Sequence, residues 1–222
     1  ITINNLANLG GLVIGKSTST ANSDVTISNP ISIAGPISIH GGVITVNENL
    51  NTSAGGSNGS LLLKASGAIT LAASKSITTS GARAVLWSDS DATNGGNISL
   101  GSGYSIQTSG GRVVLAGGAD TGTNGGVSGD DIPDGYARGI GSAGITTTGS
   151  FTINSGAGSI LMRGSSNLLD GILLSASTNG SITTTGGSIT MNGIVDSGST
   201  SATSSNTQTG IRTSGNGLIT ID

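Results

Sequence analysis

The sequence predicts an all-β fold: a right-handed parallel β-helix with three short strands per turn. Three observations predict it. A five-residue motif recurs along the chain, an aliphatic residue, any residue, Thr, Ser or Thr, then Gly. Short apolar segments with period-2 alternation flank its copies, and each is too short to bury a core alone. Glycine supplies 40 of 222 residues while charged residues make up 9% and aromatics 2%, a balance that lacks the high net charge of disordered chains. Abundant Gly is what tight corners require.

The elements follow in order. Near the N-terminus, Val25-Thr26-Ile27, Ile31-Ser32-Ile33, Ile37-Ser38-Ile39 and Val43-Ile44-Thr45-Val46 come six residues apart, with Pro30 and Pro36 in the turns between them. A missing N–H does no harm there. This is expected to be the tightest-wound stretch. "LNTSAG" from Leu50 is a loose copy of the motif, and full copies start at Ile77, Ile106, Ile145, Ile182 and Ile211. Their spacings are 27, 29, 39, 37 and 29 residues, which gives a period near 29 with insertions in two units. Ile69-Thr70-Leu71 and Ile98-Ser99-Leu100 precede copies. Ala84-Val85-Leu86, Val113-Val114-Leu115, Phe151-Thr152-Ile153, Ile189-Thr190-Met191 and Leu218-Ile219-Thr220-Ile221 follow them.

Strands this short gain a core only by stacking unit on unit, which is the logic of a solenoid. About eight turns at a strand spacing of about 4.7–4.9 Å would make a rod of about 40 Å. Alternation sets the directions. Ile77, Ile106, Ile145, Ile182 and Ile211 are expected as one inward ladder. Thr79, Thr108, Thr147, Thr184 and Thr213 then stand near a corner and satisfy backbone groups. Thr78, Gln107, Thr146, Thr183 and Arg212 point outward. Residues 1–222 form one repeat domain, expected as part of a longer shaft, with loops near 88–97, 117–139 and 196–210.

Composition excludes several functions. A net charge of −3 and a pI near 4.8 argue against nucleic acid, which needs clustered Lys and Arg. With no Cys there are no disulfides, zinc-cysteine sites or thiol chemistry. No apolar run reaches the roughly 18 residues of a membrane span. The start, "ITINNLANLG", has no charged or apolar region of a signal peptide.

"GAITLAASKSITTSGARAVLWSDSD" and the following "GNISLGSGYSIQTSGGRVVLAGG" resemble the repeat region of filamentous haemagglutinin-type large exoproteins. The resemblance covers roughly residues 20–222. It implies a right-handed β-helical shaft from a bacterial adhesin secreted by the two-partner route, exposed at the cell surface or released. It implies an adhesive and structural role, and no catalytic residue. The family's secretion domain is not recognisable, so a shaft segment is expected. Its partners would be polysaccharide, a cell surface or sister filament subunits, and open strand edges would favour end-to-end self-association.

A carbohydrate-binding or polysaccharide-degrading β-helix is the first alternative, since glycoside hydrolysis uses paired carboxylates. The acids available are Asp89, Asp91, Asp120, Asp130, Asp131 and Asp134. Asp91 and Asp120 are one period apart, as are Arg83 and Arg112, which outlines a groove. The plainer reading is that loop Asp residues cap turns. "DSDATNG" from Asp89 loosely resembles a calcium loop but lacks the further acids and the terminal Glu of an EF-hand. Trp87, Tyr104 and Tyr136 could stack on sugars, although Trp87 also continues a strand and would then pack locally. His40, the only histidine, is expected in an exposed turn beside Gly41-Gly42. Ice binding is a second alternative, through outward Thr45, Thr70, Ser99, Thr152 and Thr190 on two sheets.

Overall fold

The computed structural model describes residues 9–18, 23–93, 95–122, 127–195, 211–214 and 219–221. Across these the chain winds as a parallel β-helix of seven coils, and its strands fall into three parallel sheets. The first coil is β1 (Leu12–Ile14), β2 (Val25–Ile27) and β3 (Ile31–Ser32). The second is β4 (Ile37–Gly41), β5 (Ile44–Val46) and β6 (Leu50–Asn51), followed by a 3₁₀ turn over Ser53–Asn58. The third is β7 (Leu61–Ala65), β8 (Ile69–Leu71) and β9 (Ser76–Thr78). The fourth is β10 (Ala84–Ser88), β11 (Ile98–Leu100) and β12 (Tyr104–Gln107). The fifth is β13 (Val113–Gly117), β14 (Ala137–Gly139), β15 (Ile145–Thr147) and β16 (Phe151–Asn154). The sixth is β17 (Ile160–Ser166), β18 (Ile172–Ser175) and β19 (Gly180–Thr183). The seventh is β20 (Ile189–Val195), β21 (Ile211–Ser214) and β22 (Ile219–Ile221).

The strands of each coil enter the first, second and third sheet in turn, in register with the coil before, except that the fifth coil adds β14 to the first sheet, where it pairs with β17 of the sixth. Six spacings of about 4.8 Å make a stack of about 29 Å, slightly shorter than the eight turns expected from sequence. The step from Val25 to its partner Ile44 is 19 residues (44 − 25), the shortest register step in the second sheet. The N-terminal stretch is therefore tightly wound, as its six-residue strand spacing predicts.

The core is a set of aliphatic columns. In the third sheet Leu50, Ile77, Ile106, Ile153 and Ile182 stack with no exposed surface. This corrects the expected ladder. Ile145 is not in it: Ile145 pairs with Ile98 and Ile172 in the second sheet, where Ile211 also lies. Residues 118–136 are inserted between β13 and β15, and they shift the phase of the motif. The copy at Ile145 therefore lands at a different corner. The first-sheet step from Val113 to Ile160 is 47 residues (160 − 113), so the insertion is concentrated in one coil. The outward residues follow suit. Thr78, Gln107, Asn154 and Thr183 form the column, while Thr146 and Arg212 stand on the second sheet.

The corner between the third and first sheets is built by hydroxyls and glycines. Thr52, Thr79, Thr108, Ser155 and Thr184 donate from their hydroxyls to the carbonyls of Gly59, Ala82, Gly111, Gly158 and Gly158. Each such bond satisfies a carbonyl that the turn would otherwise orphan. Ser155 takes the place expected for Thr147. The next coil sits so close that a Cβ on Gly187 would lie 2.1 Å from the Gly158 carbonyl oxygen. That is why "TTGG" closes this turn.

In the last coil the inward residues lose their cover. Ile211 and Ile221 are 42% and 46% exposed, against 0% for Ile172 and Ile182 one rung earlier. Thr213, expected at a corner, instead pairs with Leu174 in the second sheet and is exposed, while the loop expected near 196–210 lies outside the described residues. No helix among the described residues is long and apolar enough to cross a membrane.

Candidate functional site

The sequence-predicted residues converge on the outer face of the first sheet and on the loops above it. In β10, Ala84 and Leu86 enter the core while Val85 and Trp87 point outward. All five residues of β10 are nevertheless buried. The outward pair joins Val114, Ala116 and Leu161 in a second apolar cluster, against which Leu62 and Ile132 pack. The described part of the insertion, 118–122 and 127–136, meets this face at Gly118 and Ile132, and Ile132 is its apolar contact.

Polar bonds fasten the insertion. The Trp87 Nε1–H donates to the Gly118 carbonyl at 2.7 Å. Arg83 Nη1 donates to the Asp130 carbonyl at 2.7 Å, and Arg163 Nη1 to the Asp134 carbonyl at 2.6 Å. Arg83 also faces the Asp131 carboxylate at 3.8 Å, an exposed ion pair that contributes little. The chain then rejoins the ladder: β14 pairs in parallel with the second half of β17, Ala137 to Gly164, and bridges Gly96 through Arg138.

The acids of the loops serve their own backbone. Asp134 is buried and accepts from the Thr121 and Gly122 N–H groups. Asp120 accepts from Gly129 N–H, Asp130 from Ile132 N–H and Asp91 from Thr93 N–H. These are the turn-capping roles weighed against catalysis from sequence. Arg83 and Arg112 occupy adjacent rungs, since the Ala84 N–H donates to the Arg112 carbonyl at 2.9 Å. Arg83 closes on the insertion instead of lining a groove.

Asp89 is the most perturbed acid. It is 3% exposed, has a positive φ of 49°, and accepts from the Gly95 N–H at 3.0 Å, which closes the 89–95 loop. Burial pushes its carboxyl up to about 6, the neighbouring Asp91 adds to the rise, and Gly95 and Arg138 oppose it. Among the described residues no three His, Cys, Asp or Glu side chains gather to hold a metal ion. Asp89 and Asp91 are the two carboxylates of this loop, where Ca²⁺ takes about six to eight oxygen ligands.

Three aromatic and histidine expectations are corrected. Trp87 is 2% exposed and its ring is covered by the Lys64 ammonium 3.8 Å from its centroid, so it offers no face to a sugar. Tyr104 is buried and stacks on Phe151 inside the core, with centroids 5.8 Å apart and planes at 9°. Tyr136 is half-buried. His40 is 5% exposed on β4, not in a turn, with Nε2 2.9 Å from the Ser38 hydroxyl. Burial, then Lys64, pushes its pKa down. The His40 Nδ1 has no hydrogen-bond partner among the described residues, so no third group orients the ring toward Ser38.

The expected ice-binding residues lie on three sheets, not two. Thr45, Thr70 and Ser99 share a column with Thr26 and Thr146, Thr152 is on the third sheet and Thr190 on the first. What sequence reasoning missed is the covered outer face. Its signal was the unbroken apolar run in Ala84–Trp87 and Val113–Ala116, where a half-exposed strand would alternate. Comparison with protein-family models, with curated proteins and with solved structures finds no match to this chain.

Proposed function

We propose that this chain is a non-catalytic stretch of shaft from a secreted bacterial surface protein or extracellular filament, of the kind its filamentous haemagglutinin-like repeats suggest. The observation that carries this reading is the register, which runs through seven coils on three sheets while a long insertion is spliced in without interrupting it. Such a stack resists extension and proteolysis because each coil is hydrogen-bonded to its neighbours. The loop acids and Arg83 support the same reading, since each is engaged in holding a loop in place. Polysaccharide or cell-surface contacts would be made by the loops and outer faces. The uncovered seventh coil is where a further rung would pair end to end.

An antibody raised against the chain should label intact cells of the source bacterium, and the purified chain should turn over no polysaccharide. Labelling only after lysis, or release of reducing or unsaturated sugar, would overturn the proposal.

A further inference from the structure

The three outer faces differ in chemistry. The first has an apolar patch in its middle coils, against which Ile132 of the insertion packs, with Ser38, His40, Lys64 and Arg163 on the strands around it. The second has one outward residue on each short strand and carries Arg212, which pairs with Asp170 at 3.0 Å. The third differs from both. Its first outward column is Ser32, Asn51, Thr78, Gln107, Asn154 and Thr183. Its second is Ser76, Ser105, Thr152 and Ser181, two residues away on the same strands. Every position is a hydroxyl or a carboxamide, and no strand of this sheet contains a charged residue. The nearest charges, Lys75 and Glu48, neutralise each other at 3.0 Å on the adjoining corner. All ten side chains are at least partly exposed. Asn51 and Asn154 turn their carbonyl oxygens onto the Ser53 and Gly156 N–H groups, so their NH₂ donors are what each presents to a partner.

We infer that this face is a lateral docking surface for the same face of a second copy of the chain. Three properties select that occupant. The first is commensurate spacing. Rungs recur at about 4.7–4.9 Å, and only a partner with the same repeat stays in phase from the first rung to the last. A polymer with any other repeat drifts out of step. The second is charge. A face meeting its own copy meets its own charges, and this one has none to repel. The third is form. In-register parallel strands that display Ser, Thr, Asn and Gln are the side-chain arrangement that mates sheet to sheet in a steric zipper. The six-membered column spans about 24 Å and the four-membered one beside it about 14 Å, which at about 5 Å of width each gives about 200 Å² per partner, against about 800 Å² in a standard stable interface. One such contact is therefore weak, and side-by-side association strengthens with each added coil, as multivalent contacts do.

The chain has no native cysteine, which gives a clean trap. Ser105→Cys sits mid-face, and Thr70→Cys, equally half-buried on the second sheet, is the control. Under mild oxidation the Ser105 variant should form disulfide dimers on the order of tenfold faster, the effect of a raised local concentration. Thr152→Cys should behave like Ser105→Cys, which guards against one misfolded variant. Adding Gln107→Lys to Ser105→Cys should return the rate to that of the control. Equal rates at Ser105 and Thr70 would overturn the inference. So would equal rates together with retention on a neutral polysaccharide that Gln107→Lys abolishes, which would assign the face to another partner. Either result leaves the shaft reading standing, because cell labelling tests that reading separately.

Discussion

Two threonines from near-identical sequence contexts make opposite contributions. Thr108 and Thr147 both follow an inward Ile by two residues and precede a Gly by two. Thr108 is buried at a corner and donates to the Gly111 carbonyl. Thr147 is buried in the second sheet between Leu100 and Leu174, and its hydroxyl has no hydrogen-bond partner among the described residues. Thr108→Val should destabilise by about 1–3 kcal/mol, since it orphans a buried carbonyl. Thr147→Val should stabilise by about 1–2 kcal/mol, since it removes an unpaired polar group from an apolar column. Urea midpoints at constant m-value would read both, and the same sign at the two sites would contradict the assignment. Asp89 gives a pH signature. Its folded pKa of about 6 lies above its ordinary value of 3.8, so the folded state binds the extra proton between them. Stability contributed by this group is therefore present below about pH 4 and lost as pH rises through about 6. Asp89→Asn should raise stability by up to about 3 kcal/mol at pH 7.5, two pKa units at about 1.36 kcal/mol each, and by almost nothing at pH 3.5. Melting temperatures of both forms across that range would decide it.

The strands were legible in the sequence and their sheet membership was only partly so. "ITTSG" encodes an inward Ile, an inward Thr and a Gly turn, and that local grammar suits more than one corner. It read correctly for Ile77, Ile106 and Ile182. It misplaced Ile145 and Ile211, because no local signal says how far an insertion has carried the phase. His40 was misread for a related reason: it lies on a strand whose rung neighbours, Lys64 among them, come from coils distant in sequence. Turn-capping by Asp91 and Asp130 was legible because each accepts from the amide two places on, whereas Asp120 and Asp134 accept from amides 9, 12 and 13 residues away, and the apolar floor they hold down is assembled from three coils. That floor can be probed through the single tryptophan. Ile132→Asp should lift the insertion, red-shift Trp87 emission and raise its quenching by acrylamide, with the far-ultraviolet circular dichroism of the coils unchanged. Unchanged emission would mean that the insertion is not what shields the ring.

Across the whole molecule, stability is distributed along one axis. Each coil buries its aliphatics against two neighbours, except where the stack ends. Ile106→Ala in the middle of the third sheet should cost about 2–5 kcal/mol through the cavity it leaves. Ile211→Ala, at a site 42% exposed, should cost less than about 1 kcal/mol. Denaturant titration of both would test whether the seventh coil is energetically peripheral. The return of β14 to the ladder has a further consequence. Since the chain departs after Gly117 and re-enters at Ala137 with the ladder paired on both sides, the ladder itself does not set the length of what travels between, provided that Ile132 and the bonds to Arg83, Trp87 and Arg163 are kept. Lengthening such an excursion costs only closure entropy, about 0.6 kcal/mol for each doubling. The position is thus a cargo bay on a chassis: a guest module with adjacent termini, grafted between residues 122 and 127, would be carried at a fixed height along the rod.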